Sequence, residues 1–118
     1  MTDRDRATDP AAIEPVLEAI GNKYAARILA AAERPMSAQE LSNVLGVPIA
    51  TCYRRIEELE AVDLLVCVGG KTSDRGRHAS VYRRTVDGIE LDFEDGTPGL
   101  SADARSTPPD PLRERRDE

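Results

Sequence analysis

Between Ser37 and Leu59 the stretch "SAQELSNVLGVPIATCYRRIEEL" spells two helices with almost nothing between them, and no other feature restricts the fold as much. Ser37 followed three residues later by Glu40 is the pattern of a capping box, in which each side chain satisfies the other's backbone N–H at a helix start. Gly46 supplies the stop, because the residue just past a helix favours a left-handed conformation that glycine adopts without strain. Pro48 then opens the next helix, where its missing N–H costs nothing. Only Gly46 and Val47 separate the two, so the helices must cross at a tight turn, which is the arrangement of a helix-turn-helix.

The flanks fit that centre. Residues 1–9 alternate Asp and Arg with nothing to bury and are expected to fray. Ile13, Val16, Leu17 and Ile20 recur at helical spacing, predicting a helix over 10–20 with Asp9 as its N-cap and Gly21 just past its end. A second helix, capped by Asn22, carries Tyr24, Ile28, Leu29 and Ala32 on one stripe and stops before Pro35. After Leu64 the period becomes extended: "LLVCV" reads as a buried strand, "GGKTSDRGRH" as a loop and "ASVYRRTV" as a returning strand, together a wing with its tip over 69–79. Asp87-Gly88 suits a two-residue hairpin turn into a third strand, "IELDFE", pairing Val86 with Ile89, Arg84 with Leu91, Arg83 with Asp92 and Tyr82 with Phe93. Residues 96–118 lose periodicity, hold four of the eight prolines and are expected to be a disordered tail. The expected fold is mainly α with a small antiparallel sheet, a winged helix-turn-helix domain over residues 10–95.

Composition narrows the classes. A chain of 118 residues that is 40% hydrophobic builds one modest core, here from Leu, Ile, Val and Ala, since Phe93 is the single phenylalanine and tryptophan is absent. No apolar run nears the roughly 20 residues needed to cross a bilayer, and the N-terminus is acidic and basic where a signal peptide would be apolar, so a cytoplasmic protein without membrane contact is expected. Cys52 and Cys67 form no metal-ligand spacing and sit where small packing residues would serve; no metal and no cofactor is expected. His78 has no acid or nucleophile in pattern with it, so catalysis is not expected either. Lys23 and Lys71 are the only lysines against 14 arginines and 22 acids, a balance suited to a halophile's proteome.

Turning about 100° per residue along the second helix of the motif gathers Cys52, Ile56 and Leu59 on one seam and throws Arg54 to the opposite side. Ala50 and Thr51 share that outward half, while Tyr53 and Arg55 flank the seam on opposite sides. Arginine so placed can meet guanine O6 and N7 bidentately, and Ala50 or the Thr51 methyl can meet a thymine methyl. The chain's net charge is -6, yet residues 47–84 hold seven bases and five acids while the remainder holds nine bases and seventeen acids. Positive charge is concentrated where phosphates would be met, with Lys71, Arg75, Arg77 and His78 on the wing as the candidates.

The segment "ELSNVLGVPIATCYRRIEELEAVDLL", followed by two strands around an arginine-bearing loop, resembles the winged helix-turn-helix of ArsR-like archaeal transcriptional regulators across residues 13–86. That resemblance implies a recognition helix over 48–60 in the major groove of double-stranded DNA, a wing over 65–85, and Ile49, Ala50, Thr51, Tyr53 and Arg54 in base or phosphate contact. The sequence departs from the family where Pro48 replaces the usual Ser or Thr, where Asp63 replaces a glycine, and where the cysteine pairs of metal-sensing members are missing. A homodimer is expected through helix 10–20, with strand 89–94 as a second candidate element. Two alternatives stand beside the DNA reader: a winged helix used for protein contact, and a redox-responsive regulator working through Cys52 or Cys67.

Overall fold

A computed structural model of the chain describes residues 6–72 and 78–104. In chain order its elements are β1 (Arg6–Ala7), α1 (Pro10–Gly21), α2 (Ala25–Ala31), β2 (Met36–Ser37), α3 (Ala38–Leu45), α4 (Ile49–Ala61), β3 (Leu65–Thr72), β4 (His78–Arg84), β5 (Val86–Asp92) and β6 (Gly99–Ala104), with a 3-10 turn at Glu94–Gly96. The strands form two separate three-stranded antiparallel sheets, ordered β2-β4-β3 and β1-β6-β5.

The core lies where the helices converge. Ala25, Ile28, Leu41, Val47, Cys52, Ile56, Leu59 and Leu65 are among its buried members, drawn from α2, α3, α4, the turn between the last two, and the start of β3. The local signals act as chemistry requires. Asp9 accepts a hydrogen bond from the Ala11 N–H at 3.0 Å and so caps α1. Ser37 Oγ accepts from Glu40 N–H at 3.1 Å while the Glu40 carboxylate accepts from Ser37 N–H at 2.8 Å, closing the capping box. Gly46 takes φ 70°, the left-handed cap that ends α3. Asp63, standing where the resembled family has glycine, adopts φ 63° after α4, one of the few side chains that tolerate it.

Several expectations give way. Asp87-Gly88 is not a hairpin turn: β5 runs straight through it, with a register shift between Val86 and Gly88, and pairs with β6 instead of β4. The reason is that β4 has no edge to offer, being the central strand between β2 and β3. The expected pairings of Arg83 with Asp92 and of Tyr82 with Phe93 therefore do not form: Asp92 is bound by Arg6, and Tyr82 faces Cys67 and Met36 in register. The real reversal comes eight residues on, at a second Asp-Gly dipeptide, Asp95-Gly96, where both residues are left-handed (φ 57° and 72°).

Residues 99–104 are consequently a strand rather than part of a tail, and Arg6–Ala7 pairs with it rather than fraying. Asn22 does not cap α2. Its side-chain amide donates to Glu58 at 3.0 Å, and Tyr24, at φ 75° and with no side-chain cap bond, precedes the helix. The strand "LLVCV" is buried only at Leu64 and Leu65; Val66, Cys67 and Val68 are exposed, since past Leu65 the strand leaves the helices behind.

Candidate nucleic-acid interface

The geometry of α4 follows from its buried seam. Cys52, Ile56 and Leu59 are all but inaccessible, and this pins the rotation of the helix. Arg54 consequently points away from the body, and its guanidinium has neither a hydrogen bond nor an ion pair among the described residues. Arg55, one residue further, has a different fate. Its Nε donates to the Lys23 carbonyl at 2.9 Å and its Nη1 to Glu58 at 2.6 Å, so it fastens α4 to the turn between α1 and α2. Among the described residues the pair of arginines thus divides into one structural clamp and one cation without a partner.

Among the other sequence-predicted contacts, Ala50 is exposed, Thr51 half-buried and Tyr53 54% exposed. Ile49 is partly buried and packs against the core, so its side chain serves the fold more than any outer surface. Tyr53 lines a groove with Ser37, Ala38 and Gln39 on one wall and Ala79, Ser80 and Tyr82 of β4 on the other. That groove joins the flank of α4 to the base of the wing. Thr72 stands opposite His78 in the register of β3 and β4, which carries the hairpin out to the tip. Arg75 and Arg77 lie outside the described residues, as do the side chains of Lys71 and His78.

The basic count of the wing includes residues already committed. Arg84 is turned inward: its Nη1 donates to the Leu29 carbonyl at 3.0 Å and to that of Ala30 at 3.3 Å, and its Nε to the Val86 carbonyl at 2.6 Å. It closes the C-terminal end of α2, adding donors beyond the Ala32 N–H that reaches the Leu29 carbonyl at 3.3 Å, at the end where the dipole favours a cation. Arg83 is half-buried, and its Nε is shielded from solvent without a hydrogen-bond partner. A sequence pattern sees only the charges; a cation facing a helix end and one facing solvent look alike in it.

The two cysteines differ. Cys52 is buried within α4, and burial pushes its thiol up, away from the reactive thiolate. Cys67, expected as a packing residue, is exposed on β3 because the strand has passed the end of the core, and its Sγ lies 3.5 Å from the Gly69 carbonyl. No cluster of three or more His, Cys, Asp or Glu side chains placed to hold a metal occurs among the described residues. No helix there is long and apolar enough to cross a membrane.

On the flank opposite Tyr53, Lys23 Nζ lies 5.1 Å and Arg27 Cζ 5.6 Å from the centroid of the Tyr24 ring. This pair was not legible in the sequence, where Lys23 and Arg27 are lone charges in an otherwise apolar helix; the only hint was their i, i+4 spacing around a tyrosine.

The arrangement of α2, β2, α3, α4 and the β3–β4 hairpin is that of a winged helix-turn-helix domain. A family model described as a helix-turn-helix domain matches residues 20–68, from the end of α1 into β3. No curated protein matches the chain. The family match supports a helix-turn-helix regulator and points to DNA as what such a domain binds.

Proposed function

We propose that the protein is a sequence-specific DNA-binding transcriptional regulator that lays α4 in the major groove and sets the wing, residues 69–79, on the backbone or in the adjoining minor groove. One observation carries this reading: Arg54 stands at the middle of the outward face of α4 with no partner among the described residues, while Arg55 beside it is fully engaged. In a chain with 22 acids, a guanidinium left unpaired on a helix held rigidly by its seam is suited to reading guanine. Ala50 and Thr51 precede it by one turn and would face thymine methyls; Tyr53 and the wing residues Lys71, Arg75, Arg77 and His78 would meet phosphate.

The expected assembly is a homodimer reading two half-sites about one helical turn apart. The surfaces offered are α1, where Leu17 remains partly exposed, and the end of β5, where Leu91 and Phe93 are exposed. An origin among ArsR-like archaeal regulators of a salt-adapted host is part of the same reading. The buried Cys52, with its thiol pushed up, argues against the redox alternative at that position.

Selection of binding sites from a random duplex pool, followed by anisotropy titrations, tests the reading. Arg54→Ala is expected to lose about 1–3 kcal/mol at particular base positions and relax specificity there, whereas Arg77→Ala should weaken all sequences alike. Enrichment of no sequence over the input pool would refute it.

A further inference from the structure

The recognition helix has two flanks, and only one of them is served by the wing. Tyr53 and Arg55 are separated by about 200° around α4, so they mark opposite sides of the outward ridge that carries Ala50 and Arg54. On the Tyr53 side lie β4 and the start of α3. On the Arg55 side lies the α1–α2 turn, joined to α4 by the bond from Arg55 Nε to the Lys23 carbonyl at 2.9 Å and by the bond from the Asn22 amide to Glu58 at 3.0 Å.

That turn presents Lys23, and the first turn of α2 presents Arg27, both exposed and both resting on Tyr24. Neither forms an ion pair with a carboxylate among the described residues, although acids outnumber bases in the chain. Glu58, the acid that joins this turn to α4, accepts from Asn22 and Arg55. Tyr24 holds a left-handed backbone at φ 75°, a conformation a tyrosine adopts only when its surroundings hold it there. The ring packs against the core and lies beneath both cations.

We propose that Lys23 and Arg27 form a second phosphate-binding edge, gripping the DNA strand on the side of the major groove opposite the wing. The inference rests on the reading of α4 as a groove-binding helix, because a helix in a groove about 12 Å wide has one phosphate backbone on each side. The two cations would neutralise that far strand, and the hydrogen bond from Arg55 to Lys23 would set their distance from Arg54. Contact of this kind fixes the docking angle of the helix and carries no base preference.

The test is the salt dependence of duplex binding by the full chain, with Lys23→Gln, Arg27→Gln, the double variant, and Lys23→Arg with Arg27→Lys as charge-preserving controls. Each lost contact is expected to reduce the slope of log affinity against log salt by about 0.9 and to weaken binding roughly fourfold near 0.2 M salt, equally for selected and unrelated duplexes. Circular dichroism of each variant verifies folding, and the charge-preserving controls are expected to keep the slope. A folded double variant with the unaltered slope overturns the inference while leaving the reading of α4 intact. If the unaltered chain binds no duplex, both fall.

Discussion

Arginine at position 54 and arginine at position 84 carry the same charge in opposite settings, one exposed and one turned inward, and the difference lies entirely in what surrounds them. Arg84 supplies donors to three carbonyls, two of them at the open end of α2. Arg84→Ala would remove donors from the part-buried Leu29 and Val86 carbonyls and from the exposed Ala30 carbonyl, and is expected to destabilise the fold by about 1–3 kcal/mol, read as a lower urea midpoint. An effect on DNA affinity without loss of stability would contradict that assignment. Cysteine behaves in the same divided way: a thiol reagent is expected to modify Cys67 quickly in the native protein and Cys52 only on unfolding, as counted by mass spectrometry over time. Early modification of Cys52 would restore the redox alternative. Sequence spacing correctly placed Cys52 in the seam of α4, but it also placed Cys67 in a core that the strand has already left.

At the level of elements, local chemistry was read well wherever a motif closes on itself. The capping box of α3, the Gly46 stop and the apolar seam of α4 each involve residues within one or two turns, so the sequence contains both partners. Ser37→Ala removes one half of the box at a buried position and is expected to cost about 1 kcal/mol, with the helical signal of the folded state unchanged. A loss several times larger would mean that Ser37 also supports the β2–β4 pairing.

Strand pairing is less legible in the sequence. Two Asp-Gly dipeptides, at 87–88 and 95–96, have the same turn chemistry, and only the first follows directly on the strand expected over "ASVYRRTV". Which one turns depends on whether β4 has a free edge, and that edge is taken by β2, a strand of two residues more than forty positions upstream. Asn22 likewise lacks its expected capping role, because α2 begins only at Ala25 with Tyr24 at its N-cap, and the Asn22 amide donates across to Glu58 on α4.

Across the whole molecule, the second sheet is held together by a contact between the two ends of the described chain. The Arg6 guanidinium crosses from β1 over Gly99 of β6 to Asp92 on β5, with Nε 3.0 Å from the carboxylate. A Cβ at Gly99 would meet the Arg6 guanidinium, so the glycine leaves the space through which Arg6 crosses. The hydrogen bond from Arg6 holds the Asp92 carboxyl below the usual carboxylate range. A depressed value in the folded state means that the pair stabilises above the unfolded value, near 4, and that this contribution fades as pH falls through the folded one. Stability measured against pH is therefore expected to drop more steeply on the acid side for the native chain than for Asp92→Asn; superimposable curves would show that the pair contributes nothing. Both side chains face solvent, so the effect should shrink in strong salt.

Periodicity, caps and breakers were enough to settle that residues 37–61 fold as two helices across a tight turn, that a strand hairpin follows, and that Arg54 faces outward. Each rests on neighbours a few positions apart, and the geometry of a helix or strand converts such spacing directly into direction. Which arginine is spent inside the molecule, which Asp-Gly reverses the chain, and which cations stand beside α4 were decided by pairings between segments distant in sequence. Those depend on which edges and carbonyls remain unfilled once the core has closed, a condition that no local spacing encodes.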